Sequence, residues 1–301
     1  MWFKNLMIYR LTKSLDWMNE DFQLQLQQCA FSPCHQSDMS KFGWTPPLRD
    51  SEMLHFSVNK QILLLAKKEE KILPAQVIKR ELENRIIELE QKENRQLKKV
   101  EKQALKDDVI ATLLPRAFSK LKQTALWIDT ANNLIYVDAA SNKVAEDALG
   151  LLRKTLGSLP VVPLTFANNP SLVMSDWICN DTIPQWLITL DDAELRGNDN
   201  NSVIRCKQQN LNSEEIISML KTDKQITKLS LEWEENLSFM LQEDCSLKRL
   251  KFADEIKEKN DDILKEDIAQ RFDADFILMT ATLSKLIENL LNDFGGEKER
   301  F

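Results

Sequence analysis

Between residues 78 and 104 the apolar positions recur every three or four residues: Ile78, Leu82, Ile86, Leu89, Leu97, Val100 and Ala104. Glu93 interrupts the stripe, and the remaining faces are charged. This spacing predicts an amphipathic helical block that starts near Pro74, a residue tolerated in a first turn, and ends at Pro115. The stripe is too narrow to lie deep in a core, so a protruding arm is expected. One helix over 75–113 would span on the order of 58 Å at 1.5 Å per residue. A hairpin breaking near 91–102 is the other solution.

Elsewhere the period is two, or the segments are short. MWFKNLMIYRL predicts a first strand, and residues 17–30 an amphipathic helix. The stretch SPCHQSDMSKFGWTPP is turn-rich, with Pro33, Gly43, Pro46 and Pro47 as punctuation. Two strands are expected around the turn at Val58, Asn59 and Lys60, the second containing the apolar run 62–66. Residues 125–129 and 134–138 predict a hairpin turning at Asn132 and Asn133. Residues 142–156 predict a helix started by Ser141 or Asn142 and stopped by Gly157. PVVPL is extended, and 170–190 mixes a short helix with a strand. LRGNDNNSV is the best candidate for an exposed loop, VIRCKQQNL for a strand, and 213–220 for a helix capped by Ser213. A regular alternation (Leu229, Leu231, Trp233; Leu237, Phe239, Leu241) predicts another hairpin. The remainder is helical and ends in an exposed FGGEKERF tail. The class is α+β: short antiparallel sheets with flanking helices and a protruding long-helix arm, without βαβ alternation or internal repeats. The domains expected are 1–73 with 115–180, an arm at 74–114, and 181–301.

Charge changes this picture. The chain carries a formal net charge of −7. Yet residues 60–122 hold 16 Lys/Arg against 10 Asp/Glu, a local net of +6, while 123–301 carry −12. A basic surface on an acidic body can bind a polyanion. With 301 residues, 43% hydrophobic and 29% charged, the chain is globular. No apolar run approaches the ~20 residues that span a bilayer. The first residues lack the continuous apolar region of a signal peptide. Cys29, Cys34, Cys179, Cys206 and Cys245 are widely spaced, and the plain expectation is free cytosolic thiols. A metal site around Cys29, Cys34 and His35 would need ligands from elsewhere, and His55 is the one other histidine.

Enzyme signatures are absent: no GxxxxGK(S/T), no GxGxxG after a strand, no HExxH and no GxSxG. The carboxylates that invite a nuclease reading are Asp129 and Asp138, expected to face each other across the hairpin. Asp273 and Asp275 could complete a Mg²⁺ site. Carboxylates at strand ends and helix starts are the plainer explanation. What the chain does offer is cations: Lys67 and Lys68 before the arm; Lys79, Arg80, Arg85, Arg95, Lys98, Lys99 and Lys102 on it; Arg116, Lys120 and Lys122 after it; Arg153 and Lys154 at a helix end; Lys248, Arg249 and Lys251 together on a strand. Phosphate contact needs cations within reach of the backbone, not special spacing. Pairing of i,i+4 type with Glu would account for about half of the arm's charges. No recognition helix, zinc finger or RNP motif is present, so contact without sequence preference is the mode these residues allow.

Several segments resemble the RdgC family of bacterial recombination-associated proteins. They are MWFKNLMIYRL, KFGWTPP, AKKEEKILP, LLPRAFSK, the WID and VDAAS halves of the hairpin, AEDALGLLRKTLGSLPVVPL, VIRCKQQNL, SLKRLKFADE and RFDADFILMTATL. The resemblance runs from end to end. It implies a cytoplasmic, nucleoid-associated protein that is not an enzyme and needs no cofactor. It implies a ring-shaped homodimer, joined head-to-head and tail-to-tail, that encloses duplex DNA and limits access of the RecA recombinase. Single-stranded DNA is a further partner to consider; a membrane is not. A ring fits the charge: the outer wall can be negative while the lumen is positive. Two interfaces require two self-complementary patches. Candidates are the arm stripe (Ile78, Leu82, Ile86, Leu89) and Phe118, for which the alternative is a core aromatic. Arg205, Lys207 and Gln209 are candidates for lumen or interface. Gln208 stands where the family pattern is expected to be more basic, which weighs against a lumen role there. The competing reading is a coiled-coil-type interaction scaffold without a direct DNA role.

Overall fold

In the computed structural model, residues 2–17, 21–48, 51–197, 202–261, 263–264 and 267–299 are described. Their elements form two antiparallel sheets with helices against them, an α+β fold. The larger sheet has seven strands among the described residues. In spatial order they are β2 (Ser40–Thr45), β4 (Gln61–Lys71), β5 (Ser119–Asp129), β6 (Leu134–Val137), β1 (Met7–Leu11) and β7 (Val161–Pro163), with β3 (His55–Val58) beside β4. The smaller has five, in the order β12 (Leu247–Phe252), β11 (Leu237–Gln242), β10 (Lys224–Trp233), β8 (Leu187–Gly197), β9 (Val203–Cys206). The segment before β1 ties them together. Leu6 and Leu247 exchange backbone hydrogen bonds of 2.7 and 2.9 Å, and the Leu250 amide donates to the Lys4 carbonyl at 2.9 Å.

Alternation along β4 and β5 creates two cores. Ile62, Leu64, Leu126 and Ile128 face α1 (Phe22–Gln28) and α4 (Asn142–Leu156). Leu63, Leu65 and Trp127 face the other way, into a core shared with the small sheet and with α5 (Pro170–Asn180), α6 (Glu214–Thr222) and α8 (Ile268–Asp293). The bounds of α4 are those the sequence predicts, with Ser141 as N-cap and Gly157 at φ 76° as C-cap. The β3–β4 turn is also as expected: Asn59 and Lys60 both have positive φ, which suits the twist of a two-residue hairpin.

The helical block is a hairpin. Helix α2 (Ala75–Glu93) ends at Asn94, which adopts φ 51°, and α3 (Lys99–Leu113) returns. Two glutamates hold the turn. Glu90 accepts from the Leu97 amide at 2.9 Å, and Glu101 accepts from the Lys98 amide at 2.7 Å. Pro74 is the N-cap of α2 rather than a first-turn residue. Ile78, Leu82, Ile86 and Leu89 are half-buried, Leu97 and Val109 are buried, and Val100 is exposed.

Four expectations need correction. The turn-rich stretch contains β2: Trp44 accepts from the Phe31 amide and donates to the Cys29 carbonyl, and the backbone at 29–31 passes so close to Gly43 that a Cβ there would meet Phe31 N at 2.6 Å. The predicted loop LRGNDNNSV begins inside β8, and residues 198–201 lie outside the described residues. Ser213 is at the N-cap position of α6, but its hydroxyl makes no capping bond and is buried without a partner among the described residues. The tail is docked: Phe294 is fully buried and stacks on Phe166 at 4.6 Å, and Glu297 pairs with Arg10 at 2.7 Å. Residues 300 and 301 lie outside the described residues.

Candidate nucleic-acid interface

Strands β4 and β5 pair along their whole lengths, from Gln61 opposite Asp129 to Lys71 opposite Ser119. The inner halves are core. The outer halves carry Lys67, Lys68, Glu69 and Glu70 against Lys120, Leu121, Lys122 and Gln123, and 119–123 are all exposed. Paired residues share a face. Lys68, Lys120 and Lys122 therefore lie on the α4 side, with Lys68 directly opposite Lys122. Asp147 of α4 stands 3.6 Å from the Lys68 ammonium. Lys120 and Lys122 have no ion pair among the described residues. Arg153 and Lys154 are exposed in the last turn of α4, where cations suit the helix dipole. Lys67 points to the opposite face, its ammonium 4.8 Å from the centre of the Phe31 ring.

The hairpin uses much of its charge internally. Lys79 pairs with Glu83 (3.7 Å), Arg85 with Glu81 (3.2 Å), Lys102 with Glu90 (3.2 Å), and Arg95 with both Glu93 and Glu101. Glu101 is held down to about 2 by its hydrogen bonds from Arg95 and the Lys98 amide. Arg80, Lys98 and Lys99 are exposed and outside these pairs. Beyond α3, Arg116 is exposed and Phe118 is 85% exposed. The core reading of Phe118 is thus excluded. The Ile72 amide donates to its carbonyl at 2.7 Å, and Ile72 and Leu121 are exposed too.

A second group of cations lies on the outer face of the small sheet. Arg205, Lys207, Lys228 and Arg249 line a cleft of about 320 Å³ with Asp192 and Glu194. Glu194 is buried and accepts from Lys228 at 2.9 Å and Arg205 at 3.0 Å, while Arg249 reaches Asp192 at 3.5 Å. Burial alone would raise the Glu194 carboxyl, but the Lys228 and Arg205 hydrogen bonds outweigh it and hold it below its ordinary value. Sequence reasoning missed Lys228 and Glu194; their places among the polar positions of β10 and β8 were the available signal. Gln208 (φ 51°) and exposed Gln209 form the adjoining turn, their amides donating to Asp192 and Asp191.

The Lys248, Arg249 and Lys251 group does not form one surface. Lys248 is buried, and its ammonium donates to the Ala139 carbonyl at 3.0 Å. Burial lowers its pKa, against the attraction of Asp244 and Asp138. Arg249 has φ 54°, and the β11–β12 register shifts between Ser238 and Met240, so Lys248 turns inward while Arg249 and Lys251 stay exposed.

The paired-carboxylate reading also fails on geometry. Asp129 opposes Leu134 at the turn end of the hairpin, whereas the Asp138 amide bonds Ala125 at the other end. Asp129 spends both oxygens on its own turn, accepting from the Ala131 and Asn132 amides and the Asn132 side chain. Asp138 accepts from the Lys4 and Asn5 amides. Asp273 and Asp275 lie within α8, Asp275 bonded to Asn260, and not at its start. Among the described residues no group of three or more His, Cys, Asp or Glu is placed to hold a metal ion, and all five cysteines are free. No helix among them is long and apolar enough to cross a membrane.

Comparison with known proteins connects this arrangement to a family. The family model described as "Putative exonuclease, RdgC" matches residues 1–297. The chain is 72% identical over 300 residues to the recombination-associated protein RdgC of Pasteurella multocida, covering 100% of this chain and 99% of that one. It is 69% identical over 299 residues to that of Mannheimia succiniciproducens, with 99% of each chain covered. It is 67% identical over 301 residues to that of Haemophilus influenzae, with both covered completely. The chain belongs to the RdgC family of recombination-associated proteins.

Proposed function

We propose that this protein binds DNA through its backbone, without sequence preference, as a ring-shaped homodimer that encloses the duplex and limits RecA access. The observation that carries the reading is Lys68 directly opposite Lys122, with Lys120 on the same face. Like charges directly opposite in a ladder are destabilising, so the sheet itself gains nothing from them. A polyanion on that face turns the repulsion into attraction. Arg153, Lys154, Arg116, Arg80, Lys98 and Lys99 extend the basic surface, and Arg205, Lys207 and Arg249 supply a second one. Closure of the ring is assigned to Phe118, with Gln209 and the uncovered parts of Ile78, Leu82, Ile86 and Leu89. The parts of the protomer are 1–73 with 115–180, the hairpin at 74–114, and 181–301. Nucleoid association in the cytoplasm follows from DNA binding of this kind.

We assign no hydrolytic step to Asp129 and Asp138, which lie at opposite ends of their hairpin. Plasmid and linear duplex incubated with protein and Mg²⁺ are expected to stay intact; protein-dependent degradation of either, abolished by Asp129→Asn or Asp138→Asn, would restore the nuclease reading. The main test is the affinity for unrelated duplexes across a salt series, with protein mass measured in parallel. A steep negative slope, alike for all sequences and carried by a dimer, is expected. A flat slope would favour the scaffold reading, with dimerisation through Ile78, Leu82, Ile86 and Leu89.

A further inference from the structure

Three neighbouring strands of the small sheet carry one charged row. On β8, Glu194 stands directly opposite Arg205 of β9 on one side and Lys228 of β10 on the other. Neighbouring strands lie about 4.8 Å apart, so the two cations come from strands about 10 Å apart and meet at one carboxylate. The Lys228 ammonium holds one carboxylate oxygen at 2.9 Å, which the Thr227 hydroxyl also reaches at 3.5 Å, and Arg205 holds the other oxygen at 3.0 Å. Glu194 is 7% exposed, so its carboxylate is held from both sides in a site with little room to turn.

Arg205 makes its bond through Nε alone. Its two terminal nitrogens have no partner among the described residues, and its side chain is 73% exposed. The guanidinium is therefore held at its inner edge and open at its outer one. Arg95 of the helical hairpin differs: it gives both terminal nitrogens to Glu101. Lys207 lines the same cleft, is exposed and has no ion pair among the described residues, while Arg249 reaches Asp192 at 3.5 Å. Four cations thus face two carboxylates, a surplus of two positive charges. Exposed ion pairs add little to stability and a buried carboxylate costs desolvation, so the stability of the sheet does not account for this row. Phosphate recognition does: the outer fork of a guanidinium matches two phosphate oxygens, and an arginine already held at one edge loses less freedom on binding.

We propose that Glu194 is a positioning residue for DNA: by holding Nε, it presents the two terminal nitrogens of Arg205 to one backbone phosphate seated over the cleft. The inference rests on the DNA-binding reading above and adds to it a carboxylate, a group that by charge alone opposes DNA. That opposition makes the two roles separable. If only the summed charge of the cleft matters, removing the carboxylate strengthens binding. If Glu194 positions Arg205, removing it weakens binding even though the cleft becomes more positive.

The test is the affinity of the full chain for unrelated duplexes across a salt series, for wild type, Glu194→Gln, Arg205→Lys and the double variant, with the urea midpoint of each. Glu194→Gln should weaken binding about 10-fold, alike for every sequence, and make the slope of log affinity against log salt shallower by about 0.9, one phosphate's worth. Arg205→Lys keeps the charge but loses the fork, and should weaken binding to a similar extent. The double variant should bind no more weakly than Glu194→Gln, because both changes remove the same contact. Glu194→Gln binding as tightly as wild type or more so, or a lowered urea midpoint with an unchanged slope, overturns the assignment and leaves DNA binding standing. Arg205 is exposed, so its lysine variant should fold as wild type does; if Glu194→Gln fails to fold, Arg205→Lys decides alone, and wild-type affinity in it overturns the assignment. A flat slope for wild type would overturn the DNA-binding reading itself, and this assignment with it.

Discussion

The ammonium of Lys248 donates a 3.0 Å hydrogen bond to the carbonyl of Ala139, joining β12 of the small sheet to the segment that follows β6 of the large one. A lysine that the sequence places among surface cations is thus an interior clamp. Lys248→Met keeps most of the stem's packing but leaves that carbonyl without its donor. The expected cost is about 1–3 kcal/mol, read as a lower urea midpoint. Duplex affinity should not change; a fall in affinity at unaltered stability would place Lys248 at the DNA surface after all.

Lys120 and Lys122 behave oppositely if the basic face is the contact. Replacing both by Gln should leave the unfolding free energy within about 0.5 kcal/mol, since both are exposed. Binding to every duplex should weaken alike, and the slope of log affinity against log salt should become shallower by about 0.9 for each phosphate no longer neutralised. An unchanged slope would remove this face from the interface.

Phe118 is expected to act on assembly, not on folding. At 85% exposure its truncation to Ala removes little burial, so the melting temperature of the protomer should hardly move. An aromatic anchor at an interface is worth about 2 kcal/mol or more, or about 30-fold in dimer dissociation. Mass measurement over a dilution series reads this directly. Dimers as tight as wild type would exclude Phe118 as an anchor.

Acid should loosen the tip of the helical hairpin. The Glu101 carboxyl lies at about 2, against 4.5 ordinarily, first because of its hydrogen bonds from Arg95 and then because of the Lys98 amide. A depressed carboxyl stabilises above its unfolded value and loses that contribution as pH falls through its folded one. Protection of the Lys98 amide should therefore decline as pH falls from about 4.5 towards 2. Glu101→Ala should show low protection at neutral pH and no further decline over that range. A wild-type amide equally protected at both ends would contradict the assignment.

Local signals in the sequence determined the elements. Ser141 and Gly157 bound α4, the positions of Asn59 and Lys60 turn β3 into β4, and the three-to-four spacing from Ile78 to Leu89 makes a helix. Each of these acts within a few residues, through capping, positive φ or periodic burial. The resemblance to the family was equally legible, because it rests on segments along the whole chain.

Tertiary structure decided what those elements do. The helical block is a hairpin because Glu90 and Glu101 reach across the turn to Leu97, Lys98, Arg95 and Lys102, contacts that neither helix's periodicity encodes. Strand register set Lys68 against Lys122 and put Asp129 and Asp138 at opposite ends of their hairpin. A register shift in β11–β12 divided three neighbouring cations between interior and surface. Burial of Phe294 docked a tail whose composition predicts exposure. Such outcomes depend on partners outside the local period, from Glu90 and Leu97 across the hairpin turn to Phe166 and Phe294, far apart in the chain and stacked in the shared core. A side chain's face and neighbours are fixed by those distant pairings, while its local conformation is fixed by the residues beside it.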